Sequence, residues 1–150
     1  MASGFQVNWV LIDEILVGKA PRKEKHLDLL KSKGIKSILS LCSSEEVEFV
    51  NNLKNHFFWD QIILPDHSYE RTISDVELNI ALEKLLNLKE KGPVFVHCVA
   101  AVERSPLVCM AWLVKHKKMK PSVAMNYLMQ VNPGTNPLPN QLNILEKILN

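Results

Sequence analysis

The sequence predicts an α/β domain, a central sheet of four or five strands, mostly parallel or mixed, flanked by helices. Two observations predict it. Short apolar runs rich in β-branched residues alternate along the chain with amphipathic stretches that carry helix start and stop signals. The chain has 150 residues, 47% hydrophobic and 23% charged, which is one domain's worth (1–150) with enough apolar residues for a core.

The elements follow in order. Trp9–Ile12 and Ile15–Val17 read as short strands, and the lysine-rich stretch His26–Lys33, ended by Gly34, as a one-sided helix. Ile35–Leu41 reads as a buried strand. Ser43 and Glu46 have capping-box spacing, so a helix is predicted from there to about Leu53. Phe57–Leu64 is β-rich and stops at Pro65. Ser74 and Glu77 repeat the capping box ahead of a long helix closed by Lys91-Gly92-Pro93. Val94-Phe95-Val96 suits a central strand, and Pro106 opens a helix apolar on nearly all sides, hence buried. Pro121 starts another helix, to about Gln130. A proline-rich loop and a last helix, Gln141–Leu149, complete the chain.

Composition narrows the function. The formal charge of +2 is too small to announce nucleic acid or membrane as a partner, and no apolar run is long enough to span a bilayer. Three cysteines, at 42, 98 and 109, form an odd set that suits a reducing compartment. With no basic n-region before an apolar run at Met1–Gln6, no secretory signal is expected. A cytoplasmic monomer is the expectation. His26, His56, His67 and His116 show no paired metal-ligand spacing, so neither metal nor other cofactor is expected.

The chemistry concentrates between Val94 and Pro106. A strand runs into His97-Cys98, then a short loop of Val99, Ala100, Ala101, Val102 and Glu103, then Arg104-Ser105 at a helix start. Loop amides and a helix N-terminus converge there on an anion, and Arg104 can grip two phosphate oxygens at once. The same field favours the thiolate of Cys98, the nucleophilic form of a side chain whose unperturbed pKa is about 8.5. Chance gives about 0.06 occurrences of such a cysteine–arginine spacing in a chain with this many of each. The competing reading is a buried structural cysteine beside a surface arginine.

His97-Cys98, five intervening residues and Arg104-Ser105-Pro106 resemble the signature loop of the cysteine-based protein tyrosine phosphatase superfamily. The Arg-Ser-Pro ending and small size resemble its dual-specificity branch. The likeness runs from about Trp9 to the last helix, and takes in Ile15-Leu16-Val17-Gly18 with Pro21 and the strand ending at Leu41. The resemblance implies a phosphatase-like fold and a general acid some thirty residues before the nucleophile. Asp66 lies 32 positions before Cys98, in Pro65-Asp66-His67-Ser68; Asp60 and Asp75 compete for the role. It further implies that Ser105 hydrogen-bonds the Cys98 sulfur (helix capping being the alternative), that His97 orders the loop, and that Val99–Glu103 cradle the phosphate. Cys42, ending a neighbouring strand, is a possible redox partner of Cys98 or else a packed small hydrophobe. Asn140-Gln141 fall where relatives orient the hydrolytic water.

Two positions depart from the family pattern. Ala101 stands where glycine is usual, and would cost about 1–2 kcal/mol if its backbone were left-handed. Glu103 stands where a small or neutral residue is commoner, and is expected to face outward. The loop carries no cation besides Arg104, which favours a singly phosphorylated protein side chain, tyrosine first and serine or threonine second. Arg71 and the run Lys115–Lys120 read as solvated surface, and Cys109 as core. The alternatives are a phosphate-binding module without turnover, or a rhodanese-like or Cdc25-like enzyme sharing the spacing.

Overall fold

The structure is a computed structural model that describes residues 4–69, 71–138 and 140–148. Its five strands are β1 (Val7–Leu11), β2 (Ile15–Gly18), β3 (Ser37–Ser40), β4 (Phe58–Gln61) and β5 (Val94–His97). They form one sheet in the order β1-β2-β5-β3-β4, antiparallel between β1 and β2 and parallel elsewhere. The helices are α1 (Glu24–Ser32), α2 (Leu53–His56), α3 (Asp75–Lys89), α4 (Arg104–His116), α5 (Pro121–Val131) and α6 (Gln141–Lys147). This single-domain mixed-sheet architecture is the one the sequence predicts.

Alternation along the strands builds two cores. Ile15, Val17, Leu39, Val94 and Val96 face α3–α6, while Leu16, Ile38 and Phe95 face α1 and α2. Parallel pairing puts β5 between β2 and β3, so all four of its residues are buried. Helix α4 is buried at every position from Arg104 to Val114, as its uniform apolarity requires. The β5–α4 turn therefore opens at the carboxyl edge of the sheet, where parallel α/β sheets place their ligand sites. Gly18 ends β2 where a Cβ would come within 2.7 Å of the Gln6 carbonyl.

The capping box at Ser74 forms in full, with Ser74 Oγ accepting from the Glu77 amide. The one at Ser43 does not start a helix. Glu46 accepts from the Ser43 amide (2.9 Å), but its carboxylate also binds Arg104, and only the single turn α2 follows. The side-chain half of the box therefore forms, but the backbone closes a turn there, the Glu46 amide donating to the Ser43 carbonyl at 3.1 Å, and does not go on as a helix. Strands β3 and β4 are shorter than the apolar runs that contain them, and α4 begins at Arg104, two residues before Pro106. Leu149, predicted in the last helix, lies outside the described residues.

Candidate active site

The β5–α4 loop lines a pocket of about 400 Å³ bordered by Glu46, Asp66, His67, Cys98, Val99, Ala100, Val102, Glu103 and Arg104. Cys98 forms its floor, only 2% exposed. Its sulfur lies 3.2 Å from Ser105 Oγ. Because α4 starts at Arg104 with Glu103 as its cap position, Ser105 sits in the first turn and its hydroxyl turns to the sulfur.

Arg104 is 3% exposed and held from two sides. Glu46 takes both terminal nitrogens, at 2.9 Å and 3.3 Å, and the Leu64 carbonyl accepts from Nη1 at 3.1 Å. Burial alone would raise the Glu46 carboxyl pKa, yet hydrogen bonds from Arg104 and the Ser43 amide bring it below the usual range. Nε of Arg104 is buried with no protein partner among the described residues. Glu46 is a positioning residue that the sequence reading missed, because its spacing to Ser43 advertised a helix cap instead.

Below the loop, buried His97 joins a saturated hydrogen-bond chain. Its Nδ1 lies 2.9 Å from the Cys98 carbonyl, which can only accept, so the ring proton sits on Nδ1. Nε2 then accepts from Ser40 Oγ at 2.6 Å, and Ser40 accepts from the Trp59 indole at 3.0 Å. Burial pushes the His97 pKa down to about 4, so the ring is neutral at physiological pH and serves to fix the loop.

Ala101 adopts φ 60, the left-handed backbone that its replacement of glycine made a question. It does not line the pocket. Its carbonyl faces away and accepts from Asn132 Nδ2 at 3.0 Å. Asn132 also donates to Thr135 Oγ1 and accepts from Asn8, while the Asn136 amide donates to the Val102 carbonyl. Asn132 and Thr135 are buried, a polar brace that no local sequence signal disclosed. Ala101→Gly is expected to stabilise the fold by about 1 kcal/mol, read as a higher urea midpoint with unchanged slope. An unchanged or lower midpoint would show that the brace removes the strain.

Asp66 stands on the β4–α3 loop with Oδ2 3.9 Å from Arg104 Nη2. Hydrogen bonds from the Ser68 hydroxyl and amide hold its carboxyl below the usual aspartate value. The competitors are elsewhere: Asp60 is in β4, paired with Lys84, and Asp75 begins α3. Glu103 does not face outward. It is 9% exposed and accepts from the His67 amide at 2.7 Å, with the His67 ring at 3.2 Å. Its carboxylate borders the pocket beside Arg104 and, through that backbone donor, clasps the loop that carries Asp66.

The remaining candidates separate. Cys42 is wholly buried with Ala20 and Val47, and burial pushes its thiol up to about 12. Arg71 forms two contacts with Glu77, at 2.7 Å and 2.9 Å, anchoring the end of the Asp66 loop to α3. Gln141 is buried at the start of α6 in a neighbouring cavity shared with Asp66 and Glu103. Lys115 reaches Asn79 at the surface.

Comparison with known proteins agrees with this geometry. The chain is 25% identical over 140 residues to the phosphatidylglycerophosphate phosphatase PTPMT2 of Arabidopsis thaliana, covering 93% of this chain and 61% of that protein. It is 29% identical over 104 residues to dual specificity protein phosphatase 1-B of Xenopus laevis, covering 69% of this chain and 27% of that one. Among solved structures, PTPMT1 in complex with PI(5)P superposes with a TM-score of 0.82 at 17% identity, covering 95% of this chain and 94% of that one. The human tyrosine phosphatase-like serine/threonine/tyrosine-interacting protein gives 0.80 at 21%, covering 94% and 93%. The family model for the dual specificity phosphatase catalytic domain matches residues 15–148. With that match spanning all but the ends of the chain, and a cysteine, arginine and serine gathered where the β5–α4 loop enters its helix, the protein belongs to the dual specificity phosphatase catalytic-domain family.

Proposed function

We propose that this domain hydrolyses phosphomonoesters in two steps through a cysteinyl phosphate on Cys98. The observation that carries this is the convergence of Cys98, backed by the Ser105 hydroxyl, with Arg104 and Asp66 on one pocket. The Cys98 thiolate attacks phosphorus, the ester P–O bond breaks, and Asp66 in its acid form protonates the leaving oxygen. Water then attacks phosphorus and gives its proton to the Asp66 carboxylate. The P–S bond breaks, phosphate leaves, and the Ser105 hydroxyl donates a hydrogen bond to the departing sulfur. Throughout, the loop amides and Arg104 hold the equatorial oxygens.

The substrate reading starts from the loop itself. Val99, Ala100, Ala101 and Val102 add no cation, which supports a phosphorylated side chain, tyrosine first. A second reading, a phosphomonoester on a lipid headgroup, is supported by the similarity to the Arabidopsis phosphatidylglycerophosphate phosphatase. Turnover of matched phosphotyrosine, phosphoserine and phosphothreonine peptides against short-chain phosphatidylglycerophosphate separates the two.

The pH profile tests the acid. Because Asp66 titrates below its usual value, its protonated form thins tenfold per pH unit above that pKa, so the rate falls on the alkaline side. With phenyl phosphate, a poor leaving group, Asp66→Asn is expected to lower kcat by about 10²–10³-fold and to flatten that limb. Ser68→Ala, which removes the leading cause of the shift, moves the limb to higher pH. An unaltered profile in Asp66→Asn would remove Asp66 from the mechanism.

A further inference from the structure

A second pocket, about 380 Å³, shares a wall with the first. Val99 and Ala100 line both. Its other lining residues come from the chain start and the β2–α1 connection: Gly4, Phe5, Lys19, Ala20, Arg22, Lys23, Lys25 and His26. The Ala20 amide donates to the Val99 carbonyl at 3.2 Å, so this connection is tied to the catalytic loop. Phe5 and His26 stack at 4.2 Å between ring centroids as an apolar base.

Four cations line this pocket and no carboxylate does. The whole chain carries +2, so everything outside the pocket sums to −2. Among the described residues none of the four forms an ion pair, although Arg71, Lys84, Lys89, Arg104 and Lys117 all do. His26 registers the field: after burial, Lys25, Lys23 and Arg22 are what lower its pKa. Glu24 and Glu48 line a different depression, which Arg22 and Lys23 also border.

We infer that this pocket is a subsite for a second phosphoryl group of the substrate, held while the first is attacked by Cys98. Because Val99 and Ala100 border both pockets, the matching ligand is one small bisphosphorylated molecule, or a headgroup carrying a monoester and a diester, that reaches over them. The inference rests on the phosphatase reading, and it departs from the singly phosphorylated substrate expected from the loop alone. The cations that the loop lacks are supplied by the neighbouring connection.

The test compares propane-1,3-diol bisphosphate with propyl phosphate, and both with para-nitrophenyl phosphate, for wild type and the Arg22→Gln/Lys25→Gln variant. The wild type is expected to prefer the bisphosphate through KM. The variant is expected to raise that KM about tenfold, with para-nitrophenyl phosphate turnover within about twofold of wild type. Short-chain phosphatidylglycerophosphate below its micelle concentration should follow the bisphosphate if the second group is a headgroup diester, and wild-type kinetics if it is a free terminal phosphate. Equal losses on all substrates, or no loss on the bisphosphate, would overturn the subsite. Reduced binding to phosphatidylserine vesicles with unchanged bisphosphate kinetics would assign the cations to a membrane surface instead. Calorimetric binding of the two propyl compounds to the Cys98→Ser protein, with and without the two substitutions, reads the subsite without turnover. A wild type inactive on para-nitrophenyl phosphate that still discriminates in that titration would refute the phosphatase reading and keep the subsite.

Discussion

Replacing Cys98 by serine is expected to cut turnover of para-nitrophenyl phosphate by about 10⁴-fold or more, with the fold and phosphate binding intact. Serine is smaller by little and fits the same 3.2 Å contact with Ser105, so thermal unfolding should stay within a few degrees of wild type. What disappears is the nucleophile, since a hydroxyl is scarcely ionised near neutral pH and the loop's carboxylate, Glu103, is engaged by the His67 amide. Rapid quenching of wild type with labelled substrate should trap phosphate on Cys98, and Asp66→Asn should prolong that trapping. Retention of more than about 1% activity by Cys98→Ser would place the chemistry elsewhere. Wild-type protein that binds phosphate without turnover would instead identify a binding module.

Arg104→Lys is expected to lower kcat by about 10³-fold, although charge is conserved. The guanidinium meets Glu46 through both terminal nitrogens and Leu64 through Nη1, leaving Nε without a partner among the described residues. An ammonium cannot hold Glu46 and two phosphate oxygens in one plane. Glu46→Gln distinguishes anchoring from charge: it keeps an acceptor for Arg104 while removing the anion, and a loss of about tenfold or less in kcat is expected. If Arg104→Lys retained activity within tenfold, planar gripping of the phosphoryl group would not be part of catalysis. The measurement is kcat and KM for para-nitrophenyl phosphate beside inorganic phosphate inhibition, which separates lost binding from lost transition-state stabilisation.

What could be read ahead of the structure was local. The strand–cysteine–loop–arginine–helix order lies within thirteen residues, and the Ser74–Glu77 box needs only its own turn. The same box at Ser43 misled: it closes a turn and not a helix, and its glutamate also answers to an arginine 58 positions away. Glu103 was misplaced for a related reason: what holds it is the His67 amide, 36 positions earlier. The brace from Asn132 and Thr135, and the pocket the β2–α1 cations share with Val99 and Ala100, form only when the sheet and helices bring distant segments together. Pattern and spacing report neighbours in sequence, and these partners are neighbours only in space.

The Asn132 brace has a consequence for biosynthesis. A nascent chain that has emerged from the ribosome only as far as α4 already contains the thiol and the guanidinium, but neither the amide that caps the Ala101 carbonyl nor the one that reaches Val102. On the proposed mechanism, the loop is braced only once Asn132 and Asn136 have been translated and docked.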